Sequence, residues 1–122
     1  WRLPYIPAIM SKRLHQQIAK LALDASPEEV CGVVKEGKAI RCENKASEPT
    51  QAFLIDAATY LKYVPDTIFH SHPEGLYGFS EHDIAVAANM DLTSYVYVVE
   101  TDTLEKWSAE KGIEVFKKVL NR

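Results

Sequence analysis

Residues 70–83 read His70-Ser71-His72-Pro73-Glu74-Gly75-Leu76-Tyr77-Gly78-Phe79-Ser80-Glu81-His82-Asp83, and three of their side chains, His70, His72 and Asp83, have the types and spacing to bind a metal. The preceding Thr67-Ile68-Phe69 is β-branched and aromatic and predicts a strand running into the first histidine. Side chains alternate faces on a strand, so His70 and His72 project the same way. Pro73 lacks a ladder N–H and ends the strand. Gly75 and Gly78 permit a tight, irregular loop. Ser80 then opens a helix and places Asp83 in its first turn. If the loop folds back, Asp83 joins the histidines. Two imidazoles and one carboxylate, with water in the fourth position, make the ligand set of an open catalytic zinc site. One Zn2+ per chain suits these donors, and hydrolysis requires no redox change. Each part alone has an ordinary meaning: His-x-His is common strand sequence, and Ser80-x-x-Asp83 is a helix cap with an acidic third position. Their combination at this spacing points to a metal. His82, Glu74 and Glu81 are the nearest alternative ligands, but His82 lies about 100° around the helix from Asp83.

The elements that must position these groups can be read in order. Ser11 caps an amphipathic helix ending near Ala25, with Leu14, Ile18 and Leu21 on its apolar stripe and His15 off it, facing solvent. Ser26-Pro27 breaks the helix. Residues 29–35 form a strand, 36–38 a hairpin turn and 39–43 the return strand. Residues 44–50 are a loop, 52–55 a short strand, and Asp56 caps a helix over 57–64. From Ser80 a helix runs to about Met90, with Ile84, Ala87 and Ala88 facing inward. Ser94 to Glu100 is the strongest strand, central and buried. Residues 104–109 form a further strand and 110–112 a turn. Residues 113–120 fit either a strand (Ile113-x-Val115) or a helix (Phe116, Val119, Leu120). The fold class is α/β (α+β): a mixed, largely antiparallel sheet with flanking helices.

The pattern His-x-His-Pro, six residues, Ser-x-x-Asp resembles the JAMM signature of MPN-domain (Mov34/JAB) metalloproteases. The resemblance runs from about residue 11 to the end. It implies a three-layer fold of the MPN/cytidine-deaminase type. The family's upstream glutamate commonly precedes a Cys-Gly or similar pair, and Glu29-Val30-Cys31-Gly32 matches that spacing. Glu29 is therefore the general base expected by resemblance, and strand alternation allows only one of Glu28 and Glu29 to face a metal. The resemblance also gives the Ser80 hydroxyl a share in stabilising the oxyanion, beside its capping role. It assigns His70, His72 and Asp83 to the metal and implies hydrolysis of a peptide or isopeptide bond. The C-terminal tail of a ubiquitin-like protein is one such target. Short length, Phe53-Leu54-Ile55-Asp56 and Phe79 to Asp83 most resemble bacterial and phage members, such as the N-terminal domain of tail-tip assembly proteins of the lambda K type. The expected location is the cytoplasm; on the phage placement it is the host cytoplasm or virion tail, and the substrate is a tail or ubiquitin-like tail-assembly protein. Two other functions stand beside this one: a non-catalytic MPN scaffold, against which the presence of every motif position counts, and a zinc hydrolase of a small non-peptide amide that uses the same site.

Composition narrows the remaining classes. The 122 residues carry 14 basic and 17 acidic side chains, a formal charge of −3, and no basic stripe with interleaved aromatics. A nucleic-acid partner is therefore not expected. No apolar run reaches membrane-spanning length and no secretory signal is visible. Two cysteines, Cys31 and Cys42, are no disulfide framework. Pro4 and Pro7 argue against a helix before residue 10. Residues 1–10 are read as an N-terminal extension or tag remnant, with Met10 a candidate start or an internal residue of a longer protein. Residues 11–122 are read as one domain. Oligomeric state has no sequence signal here.

Overall fold

A computed structural model describes residues 6–44, 62, 64–73 and 78–121. The described elements are helix α1 (Ile6–Ala25), strands β1 (Cys31–Lys35), β2 (Lys38–Cys42) and β3 (Thr67–His72), helix α2 (Glu81–Asn89), and strands β4 (Thr93–Val98), β5 (Thr103–Ser108) and β6 (Gly112–Lys117). The six strands form one sheet in the order β2-β1-β3-β4-β5-β6. Among the described strands, only β3 and β4 pair in parallel. That pair needs a crossover, and the segment carrying Pro73, the loop and α2 supplies it. The sheet is thus mixed and largely antiparallel, as expected. The expected strand at 52–55 and most of the helix at 57–64 lie outside the described residues.

Two apolar clusters place a layer on each face. On one face, Leu14, Ile18, Ala19 and Ala22 of α1 pack on Val34, Phe69, Tyr95, Tyr97 and Leu104. The other face carries Val33, Ile68, Cys42 and Leu92. Ala87 and Ala88 of α2 line a small cavity with Leu92 and Trp107 on that second face. Helix, sheet and helix make three layers. Alternation assigns the strands: Phe69 and Ser71 sit on the α1 side, and Ile68, His70 and His72 on the α2 side. Gly32 is required in this packing, because a Cβ there would overlap the Ile40 carbonyl oxygen and the Phe69 ring.

Several expectations need correction. Helix α1 begins at Ile6, not Ser11. Pro7 falls in its first turn, where a backbone N–H has no intrahelical partner to lose, so proline is tolerated. Ala88 is exposed, and of the three α2 residues expected to face inward only Ala87 is fully buried. Residues 113–117 are a strand: the open edge of β5 satisfies their backbone from Ser108↔Gly112 to Thr103↔Lys117. The hairpin turn closes on Glu36 and Gly37, both with positive φ (52° and 77°). Those signs at both central residues fit the twist of a two-residue hairpin. Cys31 and Cys42 stand directly opposite each other in that hairpin, with no disulfide between them. No helix among the described residues is long and apolar enough to cross a membrane.

His15 differs most from expectation. It is buried, with its ring 4.4 Å from Phe116 and 5.5 Å from Tyr95. Burial, and then the Lys106 charge, lower its pKa, against an opposing pull from Glu114. The neutral imidazole is therefore the folded form. The unfolded chain binds this proton first, so the contribution to stability is complete above a pH of about 6.5 and is lost as pH falls from there through the folded-state value. His15→Leu should flatten the acid side of the stability profile. The expected result is a smaller drop in melting temperature than wild type between neutral and mildly acidic pH, measured by thermal unfolding of the metal-free protein.

Candidate metal centre

The site is built where β3 ends and α2 begins. His70 and His72 project from β3 on the α2 side, with ring centroids 5.2 Å apart. Phe79 lies edge-on to His70 at 6.4 Å. Ser80 is the N-cap of α2 and forms a reciprocal capping box. The Asp83 N–H donates to Ser80 Oγ at 3.1 Å, and the Ser80 N–H donates to Asp83 Oδ2 at 3.1 Å. This lock fixes the carboxylate direction. The same Oδ2 lies 3.4 Å from His70 Nε2 and 3.8 Å from His72 Nε2.

One ligand atom from each of His70, His72 and Asp83 lies within 4.8 Å of the others. Ligands about 2.0–2.1 Å from a tetrahedral ion are separated by roughly 3.3 Å from one another. The observed spacing is close enough for a metal to draw the three together with small side-chain adjustments. These three residues can hold a metal ion.

Protonation supports the same donors. Burial of His70 outweighs the pull of Asp83 and lowers its pKa, leaving a neutral imidazole available for ligation. Burial alone would raise the Asp83 carboxyl. Hydrogen bonding and charge from His70, with the backbone and hydroxyl of Ser80, overcome this and hold it well below the usual carboxylate range.

Glu29 arrives from a different part of the chain. Strand β1 runs antiparallel to β3 with Gly32 opposite Phe69 and Cys31 opposite His70. The Ser71 N–H donates to the Val30 carbonyl at 3.0 Å and continues that pairing by a residue. One further step sets Glu29 opposite His72, with its side chain on the α2 side. Glu29 is buried, at 6 % exposure, whereas Glu28 is exposed. Burial raises the Glu29 pKa, His72 opposes the shift, and Asp83 adds to it. The carboxyl therefore belongs electrostatically to the cluster. His82 and Glu81 are exposed on α2 and stand apart from the three-residue group. Glu74 lies outside the described residues.

Two features lay outside the sequence reading. Gly78 rests against the carboxylate of Glu105, and a Cβ at that glycine would overlap it. Asn44, expected only as loop, donates from Nδ2 to the Glu29 carbonyl at 3.0 Å. Both depend on contacts between segments distant in sequence, which no local pattern encodes.

A helix–sheet–helix fold with this cluster at the end of a central strand defines a JAB-type domain. The chain matches the model for prokaryotic homologs of the JAB domain over residues 11–110 and belongs to that family. The match carries the JAB class and not the narrower likeness to phage tail proteins. The chain is similar to protein DSY2949 from Desulfitobacterium hafniense, known from a solution structure. The similarity has a TM-score of 0.60 at 18 % identity and covers 87 % of each chain. At that identity the likeness shows the fold alone. No curated protein matches the chain.

Proposed function

We propose that this protein is a zinc-dependent metallopeptidase that hydrolyses a peptide or isopeptide bond. The observation that carries the reading is the convergence of His70, His72 and Asp83 within 4.8 Å, with the buried Glu29 on the same face of the sheet. His70, His72 and Asp83 would hold the ion. A bound zinc ion supplies Lewis acidity, making water more acidic and polarising a carbonyl.

Glu29 is the general base. Its raised pKa moves it towards working pH, where a carboxylate can take a proton and give it back. It accepts the proton of the attacking water and passes it to the leaving amine. Ser80 contributes through its hydroxyl. The oxygen accepts from the Asp83 N–H at 3.1 Å, which leaves the O–H free to donate. Donation to the developing oxyanion is the step it performs, and one such donor is worth about 3 kcal/mol.

The substrate class is a protein or peptide offering an extended segment to the site, the tail of a ubiquitin-like protein included. Family resemblance supports that class. The test is metal analysis of the purified protein, followed by incubation with a proteome-derived peptide library and mass spectrometry of new termini. About one zinc per chain and new termini that depend on zinc support the reading. One zinc without cleavage of any peptide removes the peptidase assignment. No zinc after reconstitution removes the metal site itself.

A further inference from the structure

We infer that Ser71, the residue between the two histidines, is a positioning residue that ties Glu29 to the metal-binding strand. The inference rests on the peptidase reading for its catalytic meaning, and on hydrogen bonds for its structural content. Ser71 is fully buried and faces α1, away from His70 and His72. It cannot touch a substrate or a metal from there.

The pairing of β1 with β3 shows what it does. Cys31 and Cys42 form a hydrogen-bonded position of the β1–β2 hairpin, counted outward from the Lys35↔Lys38 closing pair. The backbone polar groups of Cys31 thus point to β2, and those of Gly32 and Val30 point to β3. Val30 opposite Ser71 should then exchange two backbone bonds. One is present: the Ser71 N–H donates to the Val30 carbonyl at 3.0 Å. The other is replaced. The Val30 N–H donates to Ser71 Oγ at 2.8 Å, in a buried setting. A side-chain oxygen stands where a strand carbonyl would be, so the hydroxyl sets the separation of the two strands at this point. The next residue is Glu29, whose carbonyl is held by Asn44 Nδ2 at 3.0 Å. Glu29 is thereby fixed from both sides, by Ser71 through Val30 and by Asn44 directly.

The consequence is mechanical. His70 and His72 flank the residue that anchors the base, so ligands and base move as one body. Small displacements of a catalytic group are costly: a misplacement of about 1 Å can cost roughly a hundredfold in rate. Removing the hydroxyl leaves the Val30 N–H to seek the strand carbonyl or water, and Glu29 shifts with it.

Three variants test this: Ser71→Ala, Ser71→Thr and Asn44→Ala. Val30 amide exchange in the folded, metal-free protein reads the bond itself. Zinc content and peptide-library cleavage read its catalytic effect. In Ser71→Ala, Val30 exchange should rise at least about tenfold, with β3 and β4 amides unchanged. Zinc content should stay at the wild-type value while kcat falls about 10–100-fold with KM little changed. Ser71→Thr keeps the hydroxyl and should restore both readouts. Asn44→Ala removes the half-buried partner of the Glu29 carbonyl and should lower kcat less, leaving Val30 exchange unaltered. Unchanged Val30 exchange in Ser71→Ala, or released Val30 with wild-type kcat, overturns the inference. So does a loss of zinc equal to the loss of rate, since Ser71 would then be holding the ligands and not the base. If the wild-type protein binds zinc and cleaves nothing, the peptidase reading fails separately. The anchoring is then decided by Val30 exchange and by the Glu29 side-chain resonances: single in wild type and broadened in Ser71→Ala supports it, and no difference between the two overturns it.

Discussion

Asp83→Ala should abolish metal binding while leaving the protein folded. Zinc measured after reconstitution should fall from about one per chain to near zero, because one of the three described residues that can hold the ion is gone. Loss of a residue that merely supports a ligand already costs roughly 10–100-fold in affinity, so loss of the ligand itself should exceed that. The substitution also removes half of the capping box, since the Ser80 N–H loses its acceptor on Asp83. That part costs about 1 kcal/mol of stability. The two effects separate in Asp83→Asn. Its amide oxygen can still accept from Ser80, so the cap survives, but the neutral side chain is a poor partner for a divalent cation. Melting temperature should therefore recover in Asp83→Asn while zinc binding does not. Ser80→Ala gives the converse: a similar loss of stability, with zinc retained. If Asp83→Ala still binds one zinc per chain, the ion is held elsewhere and the assignment of His70, His72 and Asp83 falls.

The parts of the site legible in the sequence are those fixed by local chemistry. The period of a strand puts His70 and His72 on one side whatever the strand packs against. The Ser80–Asp83 capping box needs only four consecutive residues and a helix start. Glu29 was different. Alternation says that one of two neighbouring glutamates faces the metal, but choosing between them requires the register of β1 on β3. Resemblance supplies that choice, and the β1–β3 register, extended two residues past Cys31↔His70, puts Glu29 in line with His72. His15 is buried against the helical pattern for a related reason. The apolar stripe of a helix identifies its main buried face, yet Tyr95 and Phe116 reach around that stripe to enclose the imidazole. Those rings come from strands some 80 and 100 positions away. Residues 113–117 carry both periods at once, and the unpaired edge of β5 decides between them. Where the outcome depended on a distant partner, sequence pattern alone left the question open or answered it wrongly.

Glu29→Gln separates metal binding from catalysis. The substitution keeps size and shape and removes the ability to carry a proton. Zinc content should remain at the wild-type level, because Glu29 lies outside the group that can hold the ion. Cleavage should fall about 10²–10⁴-fold, the range usual for loss of a general acid–base group. Stability provides an independent check on where the carboxyl sits. Burial raises the folded-state pKa of Glu29, so its contribution is full below the unfolded carboxylate value and is lost as pH rises through the raised value. In the metal-free protein, wild type should therefore lose stability relative to Glu29→Gln as pH rises through the weakly acidic range. A solvated Glu29 would show no such difference. Glu28→Gln is the matched control: Glu28 is exposed, and its variant should keep zinc and activity alike. If Glu29→Gln cleaves at the wild-type rate, another group moves the proton, and the register that sets Glu29 beside His72 serves structure alone.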